Sequence, residues 1–328
     1  MSALAMPRDS QPEVQEGALQ AWIDLLTVLG SLRSDEPMAR HTTLAVGGPA
    51  RWLFRPCDLD ALIEAWQAKP SDACVIPLGR GSNMLVPDAG LDALVVDLSE
   101  LNTLAIDGGM VVAGAGVRMS RFARQCAEHG LSGCEFMATV PGDIGGGVAM
   151  NAGCFAQQVS DTLQFVELLL ADGELVKVEA EGLAMGYRHT QLPAGALVVR
   201  AGFALSADHP DQIRERMRAM RSRRTATQPL AQPNCGSVFK NPDGDHAARL
   251  IEAAGLKGFA IGGAQVSEQH ANFIVNTGEA SSRDVFDLIV RMRAEVLQRF
   301  GVALEPEVRL VGEWQFDFSD EGESDDAR

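Results

Sequence analysis

Trp22, Leu25, Leu26 and Leu29 recur at the three- and four-residue spacing of one helix face, so the stretch LQAWIDLLTVLG predicts an early helix. DLDALIEAWQA (58–68) repeats the pattern through Leu59, Leu62, Ile63 and Trp66, with Asp58 placed to cap it. Short apolar runs then read as strands: CVIPLG, ALVVDLS and TLAIDGGMVVAGAG. SRFARQCAEHG interrupts them as a helix opened by Ser120 and closed by Gly130. QFVELLLADGELVKVE reads as two strands around Asp172–Gly173, a two-residue hairpin signal, and GALVVRAGFALSA adds one more strand.

The pattern changes near residue 207. DHPDQIRERMRAMRSRR predicts a charged helix, and helical spacing dominates onward, broken by the strand-like ANFIVNTG and PEVRLVG. Val285, Leu288, Ile289, Met292, Val296 and Phe300 form one apolar stripe over 282–300, ended by Gly301. No internal repeat is visible. An α+β first part followed by an α/β second part is expected.

Composition narrows the function classes. A net charge of −16 argues against binding to nucleic-acid backbones. Part of it lies in DFSDEGESDDAR (317–328), a tail too poor in apolar residues to fold. The N-terminal stretch lacks a basic segment followed by a long apolar run, and no stretch approaches the roughly 20 apolar residues of a membrane span, so a cytoplasmic protein is expected. Six scattered cysteines without a CxxC read as reduced thiols, and six dispersed histidines without HExxH predict no metal site.

Glycine is unevenly placed. PLGRGSNMLV (77–86) sets Gly79 and Gly81 directly after a strand, and ATVPGDIGGGVAMNAG (138–153) is a second glycine-rich loop. Such turns can point successive backbone N–H groups into one concavity, and two of them in one domain suggest a diphosphate held from two sides. VVAGAGVRMS fails as a dinucleotide fingerprint, because Met119 stands where the third glycine belongs. In MGYRHT, Arg188 beside Tyr187 reads on its own as a surface packing pair. AQVSEQHANFIVNTG gathers Gln265, Ser267, His270, Asn272 and Asn276 at a strand, as in a lined pocket. NCGSVFKNP (234–242) sets Ser237 after a glycine and before an apolar pair, with Lys240 and Asn241 following.

Taken in order, HTTLAVGGPA, LGRGSNMLV, PGDIGGGVAMNAG, MGYRHT, CGSVFKNP, LIEAAGLKG, GGAQVSEQHANFIVN and EPEVRLVG resemble the UDP-N-acetylenolpyruvoylglucosamine reductases over about Thr42 to Gly312. These are bacterial flavoenzymes that complete UDP-N-acetylmuramate for peptidoglycan. The short stretch after Arg188 resembles the subtype without an inserted substrate-covering loop. The resemblance implies a two-subdomain, vanillyl-alcohol-oxidase-like (PCMH-type) FAD-binding fold and a C-terminal α/β substrate-binding domain. Expected boundaries are a disordered arm to 17, FAD subdomains at 18–100 and 101–206, a substrate domain at 207–305, a returning strand at 306–315, and a disordered tail from 316.

It also implies non-covalent FAD, NADPH as hydride donor, and a monomer acting on a small molecule. By the match, Gly79, Arg80, Gly81, Ser82, Asn83, Met84 and Leu85 hold the FAD diphosphate in one loop. Pro141, Gly142, Asp143, Gly145, Gly146, Gly147, Met150, Asn151 and Gly153 hold it in the other. Ser237 takes the role of general acid, with Arg188 and Glu307 stabilising the enolic carboxylate, Glu307 by hydrogen bond if protonated. Tyr187, Lys240, Asn241, Gln265 and His270 line the substrate site.

Three residues depart from the family pattern. Asp143 stands where a serine is common, and its carboxylate must point away from phosphate, as by capping the following turn. Thr227 replaces a lysine, leaving Arg223 or Arg224 to meet the substrate's phosphates. Cys235 replaces a small residue, a thiol within reach of oxidants. Two rivals stand against this reading. An oxidase of the same fold often tethers flavin through histidine or cysteine, which LGRGSN lacks; a non-catalytic nucleotide-binding module has no use for a proton donor such as Ser237.

Overall fold

The computed structural model describes residues 12–314. The early helix begins sooner than its apolar stripe suggests: α1 spans Pro12–Leu29, so residues 12–17 of the expected arm are helical. Trp22 donates its indole N–H to the Ala65 carbonyl at 2.7 Å, docking α1 on α2 (Leu59–Gln67). Asp58 caps α2 as its position implies, accepting from the Ala61 N–H.

The chain forms two compact units. Of the described residues, the first takes 12–35, Trp52–Gly79 and Asp92–Met220; the second takes Glu36–Arg51, Arg80–Leu91 and 221–314. Those divisions differ from the expected boundaries. Two short N-terminal segments join the C-terminal unit, and the change near 207 falls before α5 (Pro210–Thr227), within which the chain passes from one unit to the other.

A four-stranded sheet, most of it in the first unit, orders its strands Gly30–Pro37, Pro49–Pro56, Leu91–Asp97 and Val75–Leu78. Trp22, Leu26, Phe54, Leu62, Trp66, Leu94 and Val96 bury one core there. A five-stranded antiparallel sheet follows, in the order Leu175–Glu179, Leu163–Leu169, Leu197–Ala204, Met110–Gly114 and Leu104–Asp107. Val111, Phe122, Phe136, Val166 and Phe203 fill a second core between that sheet and α3 (Met119–Glu128). Arg118, not Ser120, is the N-cap of α3, and Ser120 lies in the first turn. The Asp172–Gly173 hairpin closes with three residues, not two. Gly173 donates to the Leu170 carbonyl and adopts φ +87°, and the Leu170 N–H goes to the Glu174 carbonyl, the pattern of a three-residue turn with a glycine bulge.

The second unit packs α6 (Ala247–Ala253) and α7 (Ser282–Phe300) with a sheet of three short antiparallel strands, Ala260–Ile261, Ala264–Val266 and Ile274–Asn276. Ser281 and Asp284 form a capping box that opens α7, and Gly301 at φ +68° ends it. Val285, Leu288, Ile289, Met292 and Val296 are buried as the stripe requires, whereas Phe300 is 40% exposed. Among the described residues, no helix is long and apolar enough to cross a membrane.

Candidate active site

The second glycine loop leads into the one-and-a-half-turn helix α4 (Ile144–Ala149) of the first unit. Its glycines do different work. A Cβ on Gly145 would stand 2.9 Å from Ala115 Cβ, and one on Gly147 would stand 3.0 Å from Met119 Sδ. Both are demanded by packing. Gly146 is exposed, with no protein atom within 4 Å of where its Cβ would be. The loop is thus bare on one side and closed on the other, a cradle that fits a dinucleotide's phosphates against main chain. Asp143 is the N-cap of α4 but its side chain makes no capping bond; it is buried at 4% exposure, 3.2 Å from the Cβ position of Gly79. The expected cap is therefore not formed.

Past α4, Asn151 is fully buried at φ +40°. Its amide N–H groups donate to Gly186 O at 2.9 Å and Gln158 Oε1 at 3.2 Å, and its Oδ1 accepts from the Ser160 N–H at 3.0 Å. Gly186 begins the hairpin turn that carries Tyr187 and Arg188, since Gly186 pairs with His189. Arg188 adopts φ +56°, donates to Gly153 O at 2.7 Å, and lies 4.9 Å from the centroid of the half-exposed Tyr187 ring. The packing pair read from MGYRHT is present, and the same guanidinium is fixed to the end of the glycine loop.

The first glycine loop runs from Gly79 in the first unit to Arg80–Leu85 in the second. Gly81 has φ +58°, and a Cβ there would sit 2.1 Å from His41 O, so no other residue fits. Asn83 donates its amide to Glu307 O at 3.0 Å and accepts from the Arg309 N–H at its own carbonyl. Met84–Leu85 and Arg309–Leu310 pair in parallel, which sets the returning strand against this loop.

Ser237 is half-buried on the segment beside that strand. Gly236 turns the chain at φ +80°, its N–H held by Asn234 Oδ1 at 3.0 Å. The run after Ser237 is fixed less as a strand than by one side chain. Asn272 accepts from the Phe239 N–H at 3.0 Å and donates to Phe239 O at 2.8 Å, while its carbonyl takes the Val238 N–H. Val238 O accepts from the Glu307 N–H at 2.8 Å, so Ser237 and Glu307 occupy adjoining, hydrogen-bonded segments. Asn272 and Asn83 as a side-chain tether were missed by sequence reasoning; nothing in their spacing marks a partner 33 or 224 residues away.

The remaining expected substrate residues are dispersed over this unit. Lys240 pairs with Glu305, and Asn241 Oδ1 accepts from the Ala247 N–H at the start of α6. Gln265 donates to Gly258 O at 3.1 Å. His270 accepts from the Asn272 N–H at Nδ1; burial, helped by Lys257 and Arg224, lowers its pKa, so the ring is neutral. Arg224 donates to Gln228, Arg223 is exposed, and Thr227 turns its hydroxyl back to the Arg223 carbonyl. Cys235 differs from expectation: burial pushes its thiol up to about 12, which leaves it protonated and shielded from oxidants. No cluster of three metal-ligating side chains occurs among the described residues.

Residues 50–179 match the FAD binding domain family, and residues 228–311 match the C-terminal domain of UDP-N-acetylenolpyruvoylglucosamine reductase. Together these define an FAD-dependent oxidoreductase with a separate substrate domain, in keeping with the cradle at Gly146. The UDP-N-acetylenolpyruvoylglucosamine reductase of Alkalilimnicola ehrlichii is 46% identical over 287 residues, covering 87% of this chain and 96% of that protein. That of Methylococcus capsulatus is 44% identical, covering 87% and 95%. The crystal structure of the Thermus caldophilus enzyme superposes with a TM-score of 0.74 at 34% identity, covering 86% of this chain and 98% of that one. The chain belongs to the UDP-N-acetylenolpyruvoylglucosamine reductase family, whose cofactor is FAD and whose reductant is NADPH.

Proposed function

We propose that this chain reduces the enolpyruvyl ether of UDP-N-acetylglucosamine enolpyruvate to the lactyl ether of UDP-N-acetylmuramate, with Ser237, Arg188 and Glu307 as its catalytic residues. The observation that carries the residue assignment is the Val238–Glu307 hydrogen bond, which fixes a hydroxyl and a carboxyl group on adjoining segments. Bound FAD, once reduced by NADPH, would supply the hydride for C3 of the double bond. Loops 79–85 and 141–153 would hold its diphosphate through main-chain N–H groups, with Gly146 leaving room for it.

Hydride arrival at C3 leaves carbanionic charge at C2, delocalised into the substrate carboxylate. Arg188 stabilises that charge with a guanidinium already fixed by Gly153 O, so little reorganisation is needed. Glu307 assists by hydrogen bond in its protonated form. Ser237 delivers its hydroxyl proton to C2, and water restores the proton to the serine. A hydroxyl is a weak acid, so it serves only when it is already in place; Gly236 and Asn272 supply that placement. Tyr187, Arg223, Arg224, Lys240, Asn241, Gln265 and His270 contribute to holding the substrate. On the same reading the enzyme works as a monomer in the cytoplasm, where NADPH and nucleotide sugars reside; light scattering tests the first point.

Anaerobic stopped-flow through the flavin band separates the two half-reactions. Ser237→Ala should leave reduction by NADPH nearly intact and slow reoxidation by the enolpyruvyl substrate ~10²–10⁴-fold, the loss typical of a positioned general acid. Slow reduction with normal reoxidation would remove Ser237 from this role.

A further inference from the structure

Arg188 stands in a backbone conformation that arginine does not prefer. At φ +56° in the turn after Gly186 and Tyr187, it occupies the left-handed region, where glycine or asparagine is the ordinary choice. Such a residue persists only when its surroundings over-determine it. Three hydrogen bonds contribute, and each ties the turn to one stretch of chain. Thr190 donates its hydroxyl to Val148 O at 2.6 Å, Asn151 donates to Gly186 O at 2.9 Å, and Arg188 donates to Gly153 O at 2.7 Å. That stretch is the end of the second glycine loop.

Asn151 is the only side chain of the loop that reaches the turn in these three contacts; the other two use its carbonyls. It is fully buried, and its carbonyl and both amide hydrogens have protein partners. An amide so engaged does not also serve phosphate. Its residue type answers two local demands at once: φ +40°, which asparagine tolerates, and a pair of donors aimed at Gly186 and Gln158.

We infer that Asn151 is a positioning residue for Arg188, tying the turn that carries the guanidinium to the glycine loop, rather than a ligand of the cofactor. The inference rests on the catalytic reading of Arg188 given above. Asn151→Gly keeps the left-handed backbone accessible and removes the tether. Asn151→Asp keeps the shape and the acceptor for Ser160 but loses both donors, and serves if the glycine variant does not fold.

The test uses holoenzyme, NADPH and UDP-N-acetylglucosamine enolpyruvate under anaerobic stopped-flow. FAD content and flavin reduction should stay within about 2-fold of wild type, the scatter of uncoupled sites, while reoxidation slows about 10²-fold, as for a misplaced reacting group. In an Arg188→Ala background the same substitution should change reoxidation by no more than about 2-fold, because the residue it positions is gone. Loss of FAD, or equal slowing of both half-reactions, would make Asn151 a cofactor residue and overturn the inference. A full 10²-fold effect persisting without Arg188 overturns it as well. If Arg188→Ala alone reoxidises at the wild-type rate, the catalytic reading of Arg188 itself fails and the inference falls with it.

Discussion

The side-chain amide of Asn272 pairs with the main chain of Phe239 as a strand would, accepting from its N–H at 3.0 Å and donating to its carbonyl at 2.8 Å. Both residues are buried, at 3% and 1% exposure, so neither Phe239 group has water as an alternative partner. Two residues earlier stands Ser237, whose proposed role as an acid depends on that main chain staying where it is.

Asn272→Ala should therefore lower both stability and one half-reaction. Leaving the buried Phe239 groups unpaired costs about 1–3 kcal/mol for each, read as a lower midpoint in urea. Reoxidation by the enolpyruvyl substrate should slow more than reduction by NADPH, since on the proposed mechanism only the former needs Ser237. A variant with an unchanged midpoint and equal half-reactions would show that the clamp is dispensable.

The glycines of the cofactor loops should separate into two kinds. Gly81→Ala puts a Cβ 2.1 Å from His41 O at φ +58°, so it should fold poorly or not at all. Gly146→Ala meets no protein atom within 4 Å and lies in a helix, where the change stabilises by roughly 0.5–1 kcal/mol. Its apoprotein should melt no lower than wild type, yet bind FAD more weakly, because the new methyl group takes space in the proposed cofactor site. Equilibrium dialysis against FAD and a thermal melt of the apoprotein check both halves.

Thiol reactivity should follow burial. Cys57 and Cys74 are exposed and should alkylate first in native protein near pH 8. Cys235, with its thiol pushed up to about 12, should react only after unfolding, as should buried Cys126 and Cys134. Peptide mapping after iodoacetamide reads this directly. Early labelling of Cys235 would contradict the sealed geometry around it.

Acid should destabilise the fold in two windows. His270 has a pKa lowered by burial, with Lys257 and Arg224 adding, so the folded state binds fewer protons than the unfolded one. Stability is lost as pH falls from the unfolded value near 6.5 to the folded value below it. Burial pushes the Glu135 carboxyl up, but Arg216, which donates to it at 2.7 Å, and the Gly133 N–H outweigh burial and hold it below its usual range. Its contribution is present above the unfolded value near 4.3 and fades as pH falls through the folded one. His270→Gln should flatten the first window and Glu135→Gln the second, measured by chemical denaturation across pH. Unchanged slopes in both variants would place the acid sensitivity elsewhere.

The sequence by itself determined what acts over a few residues. Asp58 over α2, Gly301 at the end of α7, and the five buried positions of the α7 stripe are all legible, because caps and helical periodicity are local physics. The glycine loops were legible for the same reason, and the family motifs suggested the roles proposed for Ser237, Arg188 and Glu307. Only the tertiary structure decided which groups hold those residues. Asn151 reaches Gly186 across 35 residues, Asn272 reaches Phe239 across 33, and Asn83 reaches Glu307 across 224. The regrouping of Glu36–Arg51 and Arg80–Leu91 with the C-terminal part has the same origin. A single amide meeting a distant carbonyl leaves no period and no cap in the chain. Its partner is selected by how the sheets and helices pack, and that choice is made by the whole buried surface rather than by neighbours in sequence.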